Sequence, residues 1–118
     1  MPTRGWRLRL QDVIDAGGEI AGFIAGLDGQ SFAGDKRTVS AVLYQLTVIG
    51  EAVSQVPEEL RLRHPGVDWV GARRMRNFLV HAYFATNVEI VWQTARDDVP
   101  TLVAALRRVL EAEGGDDS

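Results

Sequence analysis

The stretch Arg76-Asn77-Phe78-Leu79-Val80-His81-Ala82-Tyr83 sets an arginine, an amide, a histidine and a tyrosine into an otherwise apolar segment. His81 is one of two histidines, and the chain has no cysteine, so few other side chains can move a proton near neutral pH. An imidazole can give or take that proton. A guanidinium cannot act as a base, but its planar fork matches phosphate oxygens and can hold charge that grows on them. Any reaction this chain runs is expected here, with Arg76 and His81 as the catalytic pair and Asn77 and Arg73 in support.

Those residues need a helix to position them. At ~100° per residue, Met75, Phe78, Leu79 and Ala82 form one apolar arc that must face a core. Arg73, Asn77 and His81 recur every four residues, and Tyr83 returns close to Arg76, almost two turns on. The polar set is therefore expected opposite the core. Val80 and Phe84 fall inside that polar face. Their position suggests a second contact, a twofold dimer of helix against helix that buries them and joins Arg76 and His81 of two chains.

The rest of the chain reads as helices separated by turn residues. Leu8, Val13, Ile14, Ile20, Phe23, Ile24 and Leu27 predict a first helix from about Arg7 to Leu27, weakened by Gly17, Gly18 and Gly22 unless packing compensates. Asp28–Asp35 reads as a loop. Val39, Val42, Leu43, Leu46, Ile49, Ala52, Val53 and Val56 predict a second helix from Asp35 or Lys36 to Gln55. Glu58–Arg63 can form a short helix before the Pro65-Gly66 turn. Asp68 is the expected N-cap of the motif helix, Trp69 to Phe84. A fourth helix is expected from Thr86-Asn87 to Glu113, kinked at residues 96–99 by Pro100. The expected fold is an all-α, up-and-down four-helix bundle with a short extra helix, and Trp6, Trp69 and Trp92 are expected to pack inside it.

With 118 residues, 46% of them hydrophobic, the chain is long enough for one domain with a real core. That domain is expected over residues 1–113, with 114–118 a disordered acidic tail. No run approaches the ~20 apolar residues of a membrane span, and the basic start lacks the apolar stretch of a signal peptide, so a cytoplasmic protein is expected. The absence of cysteine excludes disulfides and thiolate metal sites, and two histidines without a carboxylate cluster predict no metal or other cofactor. Net charge is −3, yet residues 61–81 hold Arg61, Arg63, Arg73, Arg74 and Arg76 against Asp68 alone. These arginines are either a local phosphate-attracting region or solvated helix faces. His64, before Pro65, reads as a surface residue. Glu51 either pairs with an arginine of the motif helix or caps a helix–helix contact.

The motif in its setting resembles the HEPN superfamily, in particular HepT-like toxins that pair with a small nucleotidyltransferase antitoxin. That family's arginine, adjacent polar residue and histidine look like Arg76, Asn77 and His81, and its following tyrosine is similar to Tyr83. Ile49-Gly50-Glu51-Ala52, the run from Leu62 to Trp69, and Val91-Trp92 with the run from Asp97 to Leu102 resemble the family in order and spacing. The resemblance implies a helical bundle that dimerises through the motif helix, a metal-independent endoribonuclease site where two motifs meet, and an antitoxin that can attach adenylate to Tyr83.

Such a reaction suits these side chains. RNA carries its own nucleophile, the 2′-hydroxyl. A base must take its proton, an acid must protonate the leaving 5′-oxygen, and a cation must steady the phosphorane. One chain has one motif histidine and two chains have two, which gives dimerisation a chemical reason. The rival readings are a non-catalytic interaction domain that binds a nucleotidyltransferase or a nucleotide, and a purely structural helical module.

Overall fold

The computed structural model describes residues 5–81 and 87–114, with residues 78–81 described by their backbone alone. Among the described residues the chain runs α1 (Trp6–Ile24), α2 (Gly29–Ala33), α3 (Lys36–Ser54), α4 (Glu58–Arg63), α5 (Trp69–His81) and α6 (Val88–Gln93). A π-helical turn, Thr94–Asp98, then leads into α7 (Val99–Ala112). The architecture is an all-α bundle. Its long members are α1, α3, α5 and the continuous α6–π–α7 unit.

Most of the apolar spacing read from the sequence is buried, but Leu8 and Phe23 of α1 and Ile90 of α6, expected on the inner faces, are exposed. Leu10, Val13, Ile14, Gly17 and Ile20 of α1 face inward, as do Val42, Leu46, Ile49 and Val53 of α3 and Val99, Leu106 and Val109 of α7. α1 packs against both α3 and α7, and α3 packs against α5. A groove of about 490 Å³ separates the N-terminal half of α5 from α7, floored by Ala72, Met75, Val99 and Leu102. Trp69 and Trp92 are buried and Trp6 packs against the core, as expected of all three.

Gly17 explains how a glycine-rich α1 survives. A Cβ at this position would run into Val103 of α7, so the missing side chain lets the two helices approach. That contact offsets the ~1 kcal/mol that glycine costs a helix. α1 ends at Ile24 rather than Leu27, because Gly26 takes a positive φ of 79° that stops the helix.

Asp28–Asp35 is not a plain loop. Asp28 accepts a hydrogen bond from Ser31 N at 2.8 Å, while Ser31 Oγ accepts from Asp28 N at 2.9 Å. This reciprocal cap starts α2, and Phe32 anchors it in the core with its ring centroid 5.1 Å from that of Trp92. Asp35 caps α3 by accepting from Thr38 N at 3.2 Å.

Pro100 acts where expected and by a definite device. It lacks the N–H that would close the preceding turn, and the backbone widens into the π turn at Thr94–Asp98. Thr101 Oγ1 donates to the carbonyl of Asp97 at 3.0 Å in that region. At the far end, Gly114 adopts a φ of 85°, and residues 115–118 of the expected tail lie outside the described residues.

Candidate active site

Three anchors fix the start of the motif helix. Asp68 Oδ1 accepts from Gly71 N at 2.8 Å, the N-cap read from the sequence. Trp69 is buried, and its indole N–H donates to the carbonyl of His64 at 2.9 Å. Ala72 is buried beneath the first turn and Met75 packs against the core beyond it. With that face inward, Arg73, Arg74 and Asn77 are exposed.

Arg76 departs from the expectation that it would lie opposite the core. It sits at the margin of the α3–α5 contact, half-buried, with its aliphatic stem against Gly50. A Cβ on Gly50 would stand 2.8 Å from Arg76 Cβ and 2.9 Å from Arg76 Cγ. The helical projection alone could not foresee this, since it grouped Arg76 with the polar face without knowing that a glycine of α3 stood against it. Arg76 Nε then donates to Glu51 Oε1 at 3.0 Å. Of the two readings of Glu51, the arginine pair is therefore the one observed.

This contact orients the fork. Nε is held from one side, and among the described residues neither Nη1 nor Nη2 has a partner. An arginine tied at Nε still offers its two terminal nitrogens side by side, the geometry that meets two phosphate oxygens. The pair is partly solvated, with the Arg76 side chain 39% and the Glu51 side chain 51% exposed.

Arg73 and Asn77 lie one turn apart on the exposed side, and neither side chain has a hydrogen bond or ion pair among the described residues. His81 is the last residue of α5, five positions after Arg76. Regular helix geometry carries its Cα ~7.5 Å further along the axis. Its side chain lies outside what is described. So do Tyr83 and the apolar pair Val80 and Phe84, on which the proposed second contact was built.

The two readings of the basic region divide by residue. Arg63 is engaged by Glu113, with Nε to Oε2 at 3.2 Å and Nη2 to Oε1 at 3.1 Å, and lies 3.8 Å from Glu59. Arg76 pairs with Glu51. Arg61, Arg73 and Arg74 have no acidic partner among the described residues. The positive charge left open therefore lies mainly on α5, beside Arg76.

His64 is not the surface residue expected from its turn. Its side chain is only 18% exposed, and Nε2 lies 2.6 Å from Glu113 Oε2. Glu113 closes α7 and reaches back to α4, a contact that local sequence does not signal. Its carboxyl is held below the usual range by the hydrogen bonds from Arg63 and His64. Arg7 Nη2 adds a bond of 3.1 Å to the Glu113 carbonyl. The clasp ties α1, α4 and α7 together at the end of the bundle.

Among the described residues, no group of three or more histidine, cysteine or acidic side chains could hold a metal ion. No described helix is long and apolar enough to cross a membrane.

A helical bundle in which one helix carries an arginine, an adjacent polar residue and a closing histidine is of the HEPN class. The chain belongs to the HepT-like family of that class: the family model described as "Ribonuclease HepT-like" matches residues 13–109, which include α5 and the helices that support it. A relative in Methanocaldococcus jannaschii, provisionally named an RNase, is 34% identical over 99% of this chain and 97% of its own length. "Probable ribonuclease HepT" of Thermococcus cleftensis is 37% identical over 79% of this chain and 84% of its own length. No solved structure gives a significant match.

Proposed function

We propose that this protein is an endoribonuclease toxin that cleaves RNA without a metal, at a composite site where the α5 helices of two copies meet. A small nucleotidyltransferase acts as its antitoxin. The observation that supports the reading most directly is the Arg76 guanidinium, held at Nε by Glu51 on an arginine-rich helix, with neither terminal nitrogen partnered among the described residues. Membership of a ribonuclease family supports RNA as the substrate.

Arg76 binds the scissile phosphate and meets the charge that develops on its non-bridging oxygens. His81 moves a proton at the 2′-hydroxyl or at the leaving 5′-oxygen. Asn77 orients the imidazole or the phosphate, and Arg73 draws the strand toward the site. The products are a 2′,3′-cyclic phosphate and a free 5′-hydroxyl. Adenylate placed on Tyr83 by the antitoxin puts negative charge and bulk beside Arg76 and excludes RNA.

The test is purified protein, with and without His81→Ala, on mixed cellular RNA in chelator, with the ends mapped. Cyclic phosphate ends that vanish in the variant are expected. Cleavage of DNA, or loss of cleavage in chelator, overturns the mechanism. Intact RNA together with stable binding of the nucleotidyltransferase makes the protein an interaction domain instead.

A further inference from the structure

Attack by a 2′-hydroxyl needs two proton transfers, one from the nucleophile and one to the leaving group. The motif supplies one histidine per chain. Next to α5, however, α3 brings in a carboxylate. Glu51 Oε1 is occupied by Arg76 Nε at 3.0 Å, while Oε2 has no partner among the described residues. The Glu51 side chain is half exposed, so a substrate can reach it.

The pair is not needed to hold the helices together. Ion pairs this exposed contribute little to stability. α3 already packs against α5, and Ile49 and Val53 of α3 and Trp69 and Ala72 of α5 are all buried in the same core. Two consecutive α3 residues nonetheless serve one arginine. Gly50 admits its stem and Glu51 meets its Nε. The result is a carboxylate oxygen fixed beside a phosphate-binding fork.

We propose that Glu51 is a further catalytic residue, the general base that takes the 2′-hydroxyl proton, and that His81 is the general acid. The proposal rests on the ribonuclease reading and assigns the two proton transfers within it. Glu51 Oε2 accepts the proton as the 2′-oxygen forms its bond to phosphorus. The bond from phosphorus to the 5′-oxygen breaks, and that oxygen takes a proton from the His81 imidazolium. Glu51 then returns its proton to water and His81 recovers one, so the site is restored. The electrostatics are matched. As Glu51 loses its negative charge, the phosphorane gains one, and the Arg76 guanidinium lies next to both.

The experiment compares the full-length wild-type protein with Glu51→Gln and His81→Ala on a defined RNA oligonucleotide in chelator. A second substrate carries sulfur in place of the leaving 5′-oxygen. Glutamine keeps an oxygen acceptor for Arg76 Nε but cannot take the proton. Glu51→Gln is expected to lower kcat by about a hundredfold or more, with KM and the melting temperature close to wild type. The sulfur leaving group needs no acid, so it restores His81→Ala and leaves Glu51→Gln slow. Wild-type cleavage by Glu51→Gln, or its rescue by the sulfur substrate, overturns the assignment while the ribonuclease reading stands. A wild-type protein that leaves both substrates intact removes the ribonuclease reading and this one with it.

Discussion

Arg76 leaves α5 directly over the bare Cα of Gly50. A Cβ there would meet not only Arg76 Cβ at 2.8 Å but also Arg76 Cα at 3.1 Å. The obstacle is therefore partly backbone, and a rotamer change cannot relieve it. Gly50→Ala must push α5 away from α3. Overpacking of this kind costs about 1–3 kcal/mol, and a shift of about 1 Å at a catalytic group can cost about a hundredfold in rate. Urea denaturation of Gly50→Ala should show the first loss, and RNA cleavage the second. A variant with unchanged stability and unchanged rate would show that the helices have slack at this contact.

Arg76→Lys separates charge from geometry. Lysine keeps the cation but has neither an Nε–H to meet Glu51 nor a fork to meet two phosphate oxygens. Because the Arg76–Glu51 pair is partly solvated, stability should change by less than about 0.5 kcal/mol. Cleavage should fall by about 10²–10³-fold. Retention of most of the activity would mean that Arg76 contributes only general attraction for the strand.

Much of the bundle is legible locally, and the exceptions share a cause. The buried faces of α1, α3 and α7 recur every three or four residues, so periodicity finds them. Asp68 announces α5 because a cap acts within one turn. α2 escapes notice because its stability lies in the Asp28–Ser31 exchange and in the distant contact between Phe32 and Trp92. The motif residues are named by type and spacing, whereas their support is not. Arg76 and Glu51 are 25 positions apart, and His64 and Glu113 are 49. Periodicity carries no information about which residue faces which across two helices. Gly50-Glu51, a glycine and an acid inside an apolar stripe, was the available hint.

Tyr83→Phe tests the antitoxin arm of the proposal. Phenylalanine keeps the ring and removes the hydroxyl that would carry adenylate. Incubated with ATP and the partner nucleotidyltransferase, the wild type should gain the mass of one adenylate and lose RNA cleavage. The variant should gain no mass and keep cleaving. A variant that no longer cleaves RNA before any modification would place Tyr83 in the chemistry itself rather than in its control.

The clasp at Glu113 should make stability depend on acid in a defined direction. Hydrogen bonds from Arg63 and His64 lower its carboxyl below the ordinary value of 4.5 in the folded chain. A carboxylate with a depressed folded pKa stabilises the fold above its unfolded pKa, and that stabilisation is lost as pH falls through the folded value. Glu113→Gln removes the charge and should lower the melting temperature by a few degrees at neutral pH. As pH drops from 4.5 toward the lower folded value, the wild type protonates and its advantage over the variant should close. Melting curves of both proteins from neutral pH into acid measure this directly. A gap that stays constant across the acid range would assign the effect of Glu113 to packing rather than to its charge.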